Sequence, residues 1–401
     1  MQQTLGKMSK LQKICVFFAC VIAICVFVKM LLSGNEAKME AHYDTEPQER
    51  FSRRIVCVEQ IEVYRSARGE IEVSWKVPED VPVETYLVMR HVTAGSAGGD
   101  DWETVAWAGR QETGAEGTCS VTDPVEESQP QQYEYRVDME LADTEHYAAR
   151  EGRTVLASNL LLCIDPGHFG TESKIVDADS YGYAESTVTL QMGLRLQEVL
   201  KEQYGIDSYL TRETDDITLG GYTNEELDSR MIALRGEYAA GSDFFISLHT
   251  NSNADNANDC PTFEQPLAIN KTIILANRVA YSSPSALILC NAVGEEVTEV
   301  NNSMGLSTVA AFQTADIDTV LEWTIEYNDS LDTAGTVCLR HGSKGDYYGV
   351  LRGATEVDVP GIIIEHGFHS APDVRRAAME GELLEAWVQA DARGIARGFG
   401  F

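Results

Sequence analysis

With 401 residues, the chain is long enough for two domains and a membrane anchor. Its 63 acidic residues outnumber its 31 basic residues and give a formal net charge of -32 at pH 7. This charge disfavours nucleic acid as a partner because the phosphates would repel the protein. The charge suits a secreted or surface protein, which it would help to keep soluble. It is also typical of a solvated surface with no specific partner.

The amino-terminal region contains a predicted membrane anchor. Residues 14–32 are apolar except for Lys29, and as a helix they would rise about 28 Å, close to the thickness of a hydrocarbon core. Three lysines and no acidic residue precede this run: Lys7, Lys10 and Lys13. The positive-inside rule therefore predicts a cytoplasmic tail at 1–13, a transmembrane helix at 14–32 and an extracellular remainder, in a single-pass protein of the cell membrane. A cleaved signal peptide is the alternative, but the run is long and lacks a clear Ala-x-Ala site.

Two further segments precede the last predicted domain. Residues 33–52 are polar and charged and are predicted to form a linker. From 53 to 158, short runs with alternating apolar residues, such as 71–75 and 132–139, are separated by turn residues. This spacing predicts an all-β sandwich of antiparallel strands.

The aromatic residues of this β region resemble those of a fibronectin type III module. Trp75 lies on an early predicted strand, Tyr86 on the next, and Tyr133 and Tyr135 on a late one. A family-specific all-β spacer is the alternative. Because the region holds no catalytic constellation, it is predicted to act as a spacer from the membrane or to dock a protein partner.

The cysteines give no sign of a structural metal site of the Cys-x-x-Cys type, because no such pair occurs in the chain. A disulfide between Cys57 and Cys119 is possible in the β region. Cys163, Cys290 and Cys338 have apolar neighbours and are predicted to be buried thiols.

From residue 159 to 401, predicted strands alternate with predicted helices. The strands fall at 160–164, 207–212, 244–248 and 361–364, and the helices at 185–204, 227–240, 283–299 and 382–397. This alternation predicts an α/β domain built on a mostly parallel twisted sheet that helices flank.

Four side chains of this domain suggest chemistry. His168, His249 and Glu365 each come directly after a predicted strand, and Glu185 begins the predicted helix that follows His168. The carboxyl ends of parallel strands meet at one edge of a sheet, where sites gather. Two histidines, one carboxylate ligand and a further carboxylate are the components of a hydrolytic zinc site.

These residues lie in a pattern that resembles the zinc-dependent N-acetylmuramoyl-L-alanine amidases, which are cell-wall amidases with an α/β fold. The resemblance covers residues 159–401. The segments that carry it are Ile164-Asp-Pro-Gly-His168, Glu185 at the head of a helix, Thr211-Arg212, Asp243 to Asn251, and Val359 to Phe368. The resemblance implies that His168, Glu185 and His249 bind Zn²⁺ and that Glu365 is the catalytic acid and base.

The resemblance also implies the substrate, which is peptidoglycan. The bond cut would be the amide between N-acetylmuramic acid and the first L-alanine of the stem peptide, in remodelling or turnover of the cell wall. Two alternatives stay open: a non-catalytic or autoinhibited wall-binding protein, and a zinc peptidase that cuts within the stem peptide. Glu365 favours the active enzyme, because a silent descendant would be expected to have lost it.

The sequence departs from the family pattern in two places. Phe169 replaces the small residue usual after the first histidine, and we expect it to narrow or wall the cleft. The last motif continues Phe368-His-Ser-Ala, where the family usually has asparagine after the small residue. Two stretches, 254–282 and 312–348, are longer than the chemistry requires, and one of them is predicted to be a lid or a regulatory helix.

Three neighbouring residues have open roles. Asp165 either orients His168 or forms a turn. Arg212 either anchors a substrate carboxylate or pairs with Asp215. His366 should face away from Glu365, since successive residues of a strand point to opposite sides.

Overall fold

The structure is a computed structural model. It describes residues 53–94, 101–109, 117–170, 183–222, 227, 232–252, 270–306, 311–318, 321–322 and 335–401. The predicted cytoplasmic tail, transmembrane helix and linker lie outside these residues. Within the described part of the chain, no helix is long and apolar enough to span a bilayer.

The first nine strands form the β region. They are β1 (Arg54–Val56), β2 (Ile61–Ala67), β3 (Glu70–Lys76), β4 (Val83–Ala94), β5 (Glu103–Gly109), β6 (Thr118–Pro124), β7 (Gln132–Leu141), β8 (Tyr147–Ala149) and β9 (Val155–Ser158). One antiparallel sheet has the order β2-β3-β6 and a second has the order β5-β4-β7-β9, while β1 pairs with β8.

The two antiparallel sheets share one hydrophobic cluster, because alternate residues of each strand turn inward. Ile71, Val73 and Trp75 are buried on β3, and Trp75 lies 5.3 Å from Tyr86 of the other sheet, measured between ring centroids. Such alternation buries one face of each strand and leaves the other in water. The assignment of these sheets to a fibronectin type III module stays a prediction.

The disulfide considered for this region is absent from the structure. Cys57 is partly exposed, Cys119 is buried, and neither forms a disulfide among the described residues. The predicted burial of Cys163, Cys290 and Cys338 is confirmed.

The second region alternates strands and helices. Its elements are β10 (Leu161–Pro166), α1 (Glu185–Tyr204), β11 (Asp207–Leu210), α2 (Ala233–Glu237), β12 (Phe244–Asn251), β13 (Ile273–Ala276), α3 (Arg278–Tyr281), α4 (Pro284–Ser303), β14 (Phe312–Gln313), β15 (Leu321–Glu322), β16 (Gly335–Leu339), β17 (His341–Gly342), β18 (Gly345–Asp346), α5 (Gly349–Glu356), β19 (Gly361–Phe368), α6 (Pro372–Glu380) and α7 (Glu382–Phe399).

Eight of these strands form one sheet in the order β11-β10-β12-β19-β13-β16-β14, with β15 also paired to β16. Among the described strands of this sheet, every pairing is parallel except that of β13 with β19. The predicted α/β fold with a mostly parallel sheet is therefore confirmed.

Hydrophobic clusters cover both faces of the sheet. Leu162 and Ile164 of β10 belong to a cluster shared with α1, α4 and α7. Cys163 points the other way, into a cluster shared with α5. Because β10, β12 and β19 are buried on both faces, their sequences are nearly continuous apolar runs.

The β region docks on the edge of this sheet where β11 and β12 begin. Asp207 accepts hydrogen bonds from the backbone N–H of Arg65 at 2.8 Å and from Lys201 Nζ at 2.6 Å, and Lys201 also donates to Val63 O at 2.6 Å. Residues Arg54–Phe401 accordingly form one compact unit. The carboxyl ends of the parallel strands lie at the opposite edge of the sheet, where functional sites of such sheets are usually found.

Candidate active site

His168 reaches the site through a tight segment after β10. The N–H of Gly167 donates to Leu248 O at 3.0 Å, which ties the segment to the end of β12. A Cβ at Gly167 would lie 2.5 Å from His249 Nε2 and would also overlap Leu248 O, so only glycine fits. His168 itself has φ 56, in the left-handed region that few non-glycine residues adopt.

Glu185 is the first residue of α1 and lies between the two imidazoles. Its Oε2 is 3.2 Å from His168 Nε2, and its Oε1 is 3.1 Å from His249 Nδ1. The backbone N–H of Thr250 donates to Oε1 at 2.9 Å. Burial opposes ionisation of this carboxyl, but the two imidazoles outweigh burial and hold the pKa of Glu185 well below its usual range.

His249 ends the run of buried residues on β12 and stands beside Glu365, its register partner on β19. The rings of His168 and His249 lie 4.9 Å apart between centroids. Burial lowers the pKa of His249, which keeps a nitrogen lone pair available at neutral pH.

These three residues suit a metal ion. The ligand atoms of His168, Glu185 and His249 all lie within 4.8 Å of one another. Two imidazole nitrogens and one carboxylate oxygen match the donor set of catalytic zinc, which uses three protein ligands and leaves a fourth position open. The donor set alone does not select zinc over other transition metals that imidazole also binds.

A cavity of about 350 Å³ opens onto this cluster. Glu365 lines it, and its Oε2 is buried without a hydrogen-bond partner among the described residues. Burial and the negative charge of Glu185 raise the pKa of Glu365 well above its usual range. A carboxyl group with a raised pKa and a free oxygen can accept and return protons near neutral pH.

Asp165 does not serve either role considered for it. Its two oxygens accept hydrogen bonds from Thr211 Oγ1 at 2.6 Å, Ser247 Oγ at 2.6 Å and Arg235 Nε at 2.8 Å. Asp165 therefore fixes β10, β12 and the segment around α2 to one another, and the buried ion pair with Arg235 was not visible in the sequence.

Arg212 is also structural rather than substrate-binding. It is buried and donates to the carbonyl oxygens of Pro166, Gly167, Ser186 and Thr214. These bonds join the His168 segment to the first turn of α1, which carries Glu185. The negative charge of Asp215 acts on the Arg212 guanidinium without a hydrogen bond between the two side chains.

The structure contradicts the expectation for Phe169 and confirms the one for His366. Phe169 is buried in a small cluster with Ile217, Leu219 and Leu227, and it is not among the described residues that line the cavity. The expectation that Phe169 narrows the cleft is therefore wrong. His366 faces away from the cavity as predicted, with Nδ1 2.9 Å from His249 O and Nε2 2.8 Å from Asp391 on α7.

Sequence reasoning placed His369 next to the site but missed Tyr348. Both residues lie on the cavity wall, Tyr348 just before α5 and His369 just after β19. Tyr348 falls within 312–348, one of the two stretches expected to hold a lid. Residues 254–269, 319–320 and 323–334 of these stretches lie outside the described part of the chain, so the lid stays a prediction.

Comparison with known proteins matches a family over much of the chain. The family described as N-acetylmuramoyl-L-alanine amidase matches residues 162–397, more than half of the chain. The sporulation-specific N-acetylmuramoyl-L-alanine amidase of Bacillus subtilis (strain 168) is 35% identical over 91 residues, which are 22% of this chain and 30% of that protein. The matched part thus spans less than a third of the length of that relative.

Two solved structures are also similar. The amidase AmiC2 of Nostoc punctiforme is 21% identical, with a TM-score of 0.38, and the alignment covers 59% of this chain and 96% of that chain. The CwlD amidase of Clostridioides difficile, solved in complex with the GerS lipoprotein, is 17% identical, with a TM-score of 0.40, covering 60% and 98%. The family assignment rests on the match over residues 162–397, and by that match the chain belongs to the N-acetylmuramoyl-L-alanine amidase family.

Proposed function

We propose that the protein is a zinc-dependent hydrolase that cuts the amide between N-acetylmuramic acid and L-alanine in peptidoglycan. The observation that carries the proposal is the cavity in which His168, Glu185 and His249 converge beside Glu365, whose Oε2 has no hydrogen-bond partner among the described residues. Within this family, that arrangement suits water-driven cleavage of an amide.

In this proposal, His168, Glu185 and His249 hold the ion. When bound, the ion supplies a Lewis acid that polarises the scissile carbonyl. Arg212 and Gly167 hold the two histidines and Glu185 in position relative to one another through the backbone contacts described above.

Glu365 carries the proton in the reaction. It takes a proton from the attacking water as the oxygen bonds to the carbonyl carbon, and it gives that proton to the nitrogen as the C–N bond breaks. Burial favours the protonated carboxyl between these two steps. The products are a free lactyl carboxylate on the sugar and a peptide with a free amine on L-alanine.

We also propose the topology of the whole protein. Residues 14–32 anchor the chain in the cell membrane, and residues 33–52 link the anchor to a fibronectin type III-like module at 53–158. The catalytic domain at 159–401 then faces the extracellular wall. Membrane fractionation of cells, followed by protease treatment of intact and lysed cells, tests this: an extracellular domain is digested in intact cells.

The activity is tested by incubating purified peptidoglycan with the full chain and identifying the released fragments by mass spectrometry. We expect intact stem peptides with a free L-alanine amine. Activity should disappear with a chelator, return with Zn²⁺, and fall by about 10²-fold or more in Glu365→Gln.

Glu356→Gln is the matched control, because Glu356 is exposed at the end of α5 and lies outside the cavity. Fragments cut inside the stem peptide would identify a peptidase instead. Bound zinc with no release by the wild-type chain would identify a wall-binding or autoinhibited protein.

A further inference from the structure

The cavity contains a buried imidazole that the proposed mechanism does not use. His369 is 2% exposed and lines the cavity together with Glu365. Its backbone N–H donates to Asn251 O at 2.8 Å, and its carbonyl accepts a bond of 2.7 Å from Arg375 Nη1. The residue is therefore held on both sides of its Cα, which favours a single position for the ring.

The two ring nitrogens of His369 have different surroundings. Nδ1 lies 3.0 Å from Thr250 Oγ1, and the ring stacks on Tyr183 with centroids 5.2 Å apart and planes inclined by 24°. Nε2 is buried and has no hydrogen-bond partner among the residues that the structure describes. A buried nitrogen without a partner costs stability, so Nε2 is the ring atom that remains for a ligand in the cavity.

The chain of hydroxyl groups behind the ring decides which nitrogen carries the proton. Thr250 Oγ1 also lies 2.8 Å from the Tyr183 hydroxyl, and this is the one hydrogen bond of that hydroxyl within the described residues. A buried tyrosine O–H that has a single neighbour donates to it. The Thr250 hydroxyl then donates to Nδ1 of His369, so the ring proton sits on Nε2. A doubly protonated ring would carry the same Nε2–H.

We propose that the Nε2–H of His369 donates a hydrogen bond to the carbonyl oxygen of the scissile amide; this inference rests on the proposed function. When water adds to the carbonyl carbon, the π electrons of the C=O bond move onto this oxygen, and they return when the C–N bond breaks. A fixed donor directed at that oxygen stabilises the charge as it develops. Such donors typically contribute about 10²- to 10³-fold to kcat.

The kinetic test uses the full chain and a soluble muramoyl peptide. We expect His369→Leu to lower kcat by about 10²-fold with little change in KM, because the bond is strongest in the transition state. His369→Gln, whose side-chain amide can donate from a similar position, should recover at least about tenfold of that loss. Metal content and thermal midpoint are measured on each variant.

His146→Gln is the matched control, since His146 lies on the surface of the β region, and kcat should not change. Wild-type kcat in His369→Leu would overturn the proposal. A raised KM with unchanged kcat would also overturn it, because His369 would then bind the substrate and its transition state equally.

A second measurement needs neither substrate nor turnover. Nitrogen NMR of the histidine-labelled full chain reports which ring nitrogen bears the proton. We expect Nε2–H in the wild type. Tyr183→Phe keeps the stacked ring but removes the donor to Thr250, so the Thr250 hydroxyl can also accept from Nδ1–H and the share of Nε2–H should fall. Tyr183→Phe should also lower kcat, and its effect should not add to that of His369→Leu.

The two measurements separate this proposal from the proposed function. Nδ1–H in the wild type overturns the donor role whether or not the protein cleaves peptidoglycan. A wild-type chain that carries Nε2–H but does not cleave peptidoglycan supports the tautomer and counts against the proposed reaction.

Discussion

Replacing Gly167 with alanine tests how the backbone positions the two histidines. In the wild type, Gly167 packs directly against the His249 ring and against Leu248 O. An added Cβ would lie 2.5 Å from His249 Nε2, whereas ordinary van der Waals contact begins at 3.4 Å. The ring or the His168 segment must therefore move by about 1 Å.

The size of the effect follows from that displacement. Overpacking of this kind costs typically about 1–3 kcal/mol of folding free energy. A shift of about 1 Å in a group that holds the reacting centre lowers the rate by about 10²-fold. Since His249 is both the displaced ring and a proposed metal ligand, the affinity for Zn²⁺ should fall together with the rate.

Three measurements test this: metal content and affinity by titration with Zn²⁺, thermal unfolding with and without Zn²⁺, and the rate at which stem peptides are released. Gly109→Ala is the matched control, because a Cβ at Gly109 meets nothing within 4 Å. We expect the control to keep wild-type affinity and rate. Wild-type metal affinity and activity in Gly167→Ala would refute the steric reasoning and the placement of His249 against this glycine.

Further predictions concern the structural contacts. Arg235→Met leaves Asp165 buried without its cation, and chemical denaturation should show a loss of about 3–5 kcal/mol; a loss below about 1 kcal/mol would contradict the pairing. Burial opposes ionisation of Asp165, but Arg235 and the two hydroxyl donors outweigh burial and lower the pKa of Asp165. The ionised carboxylate therefore stabilises the folded state above about pH 4, and this contribution is lost as the pH falls through the lowered pKa. Unfolding at a series of pH values should therefore show Asp165→Asn and the wild type converging in acid. Asp207→Ala removes the hydrogen bond from the β region at Arg65 and also the ion pair that positions Lys201 beside Val63 O. We expect a loss of about 1–3 kcal/mol and faster proteolysis between the β region and the α/β domain, and an unchanged digestion pattern would contradict this role.

The sequence determined the main architecture because its signals are local. The apolar stripe at 185–204 predicts α1 with both of its ends, and Gly205, with φ 67, ends that helix in the left-handed conformation that glycine adopts most easily. His168 follows β10, while His249 and Glu365 lie near the carboxyl ends of β12 and β19, so a parallel sheet alone brings the three to one edge.

Some elements could not be predicted, because their sequences favour other structures. α5 contains Gly349 and Gly353, and glycine lowers helix propensity. In the structure, a Cβ at Gly353 would overlap Ala233 O, and a Cβ at Gly236 would overlap Val350 O. These glycines allow α2 and α5 to lie in close contact, a requirement that comes from the partner helix and not from the local sequence.

The sequence by itself thus determined the fold class, since periodicity reports strands and helices residue by residue, and its resemblance to a family supplied the proposed ligands and catalytic carboxyl. The tertiary structure decided what surrounds each polar side chain. It assigned Asp165 to Arg235 and Arg212 to backbone carbonyl oxygens, moved Phe169 away from the cleft, and left one nitrogen of His369 without a described partner. These roles depend on hydrogen-bond partners that are distant in sequence, because a buried polar group is stable only where the fold supplies a hydrogen-bond partner or an opposite charge.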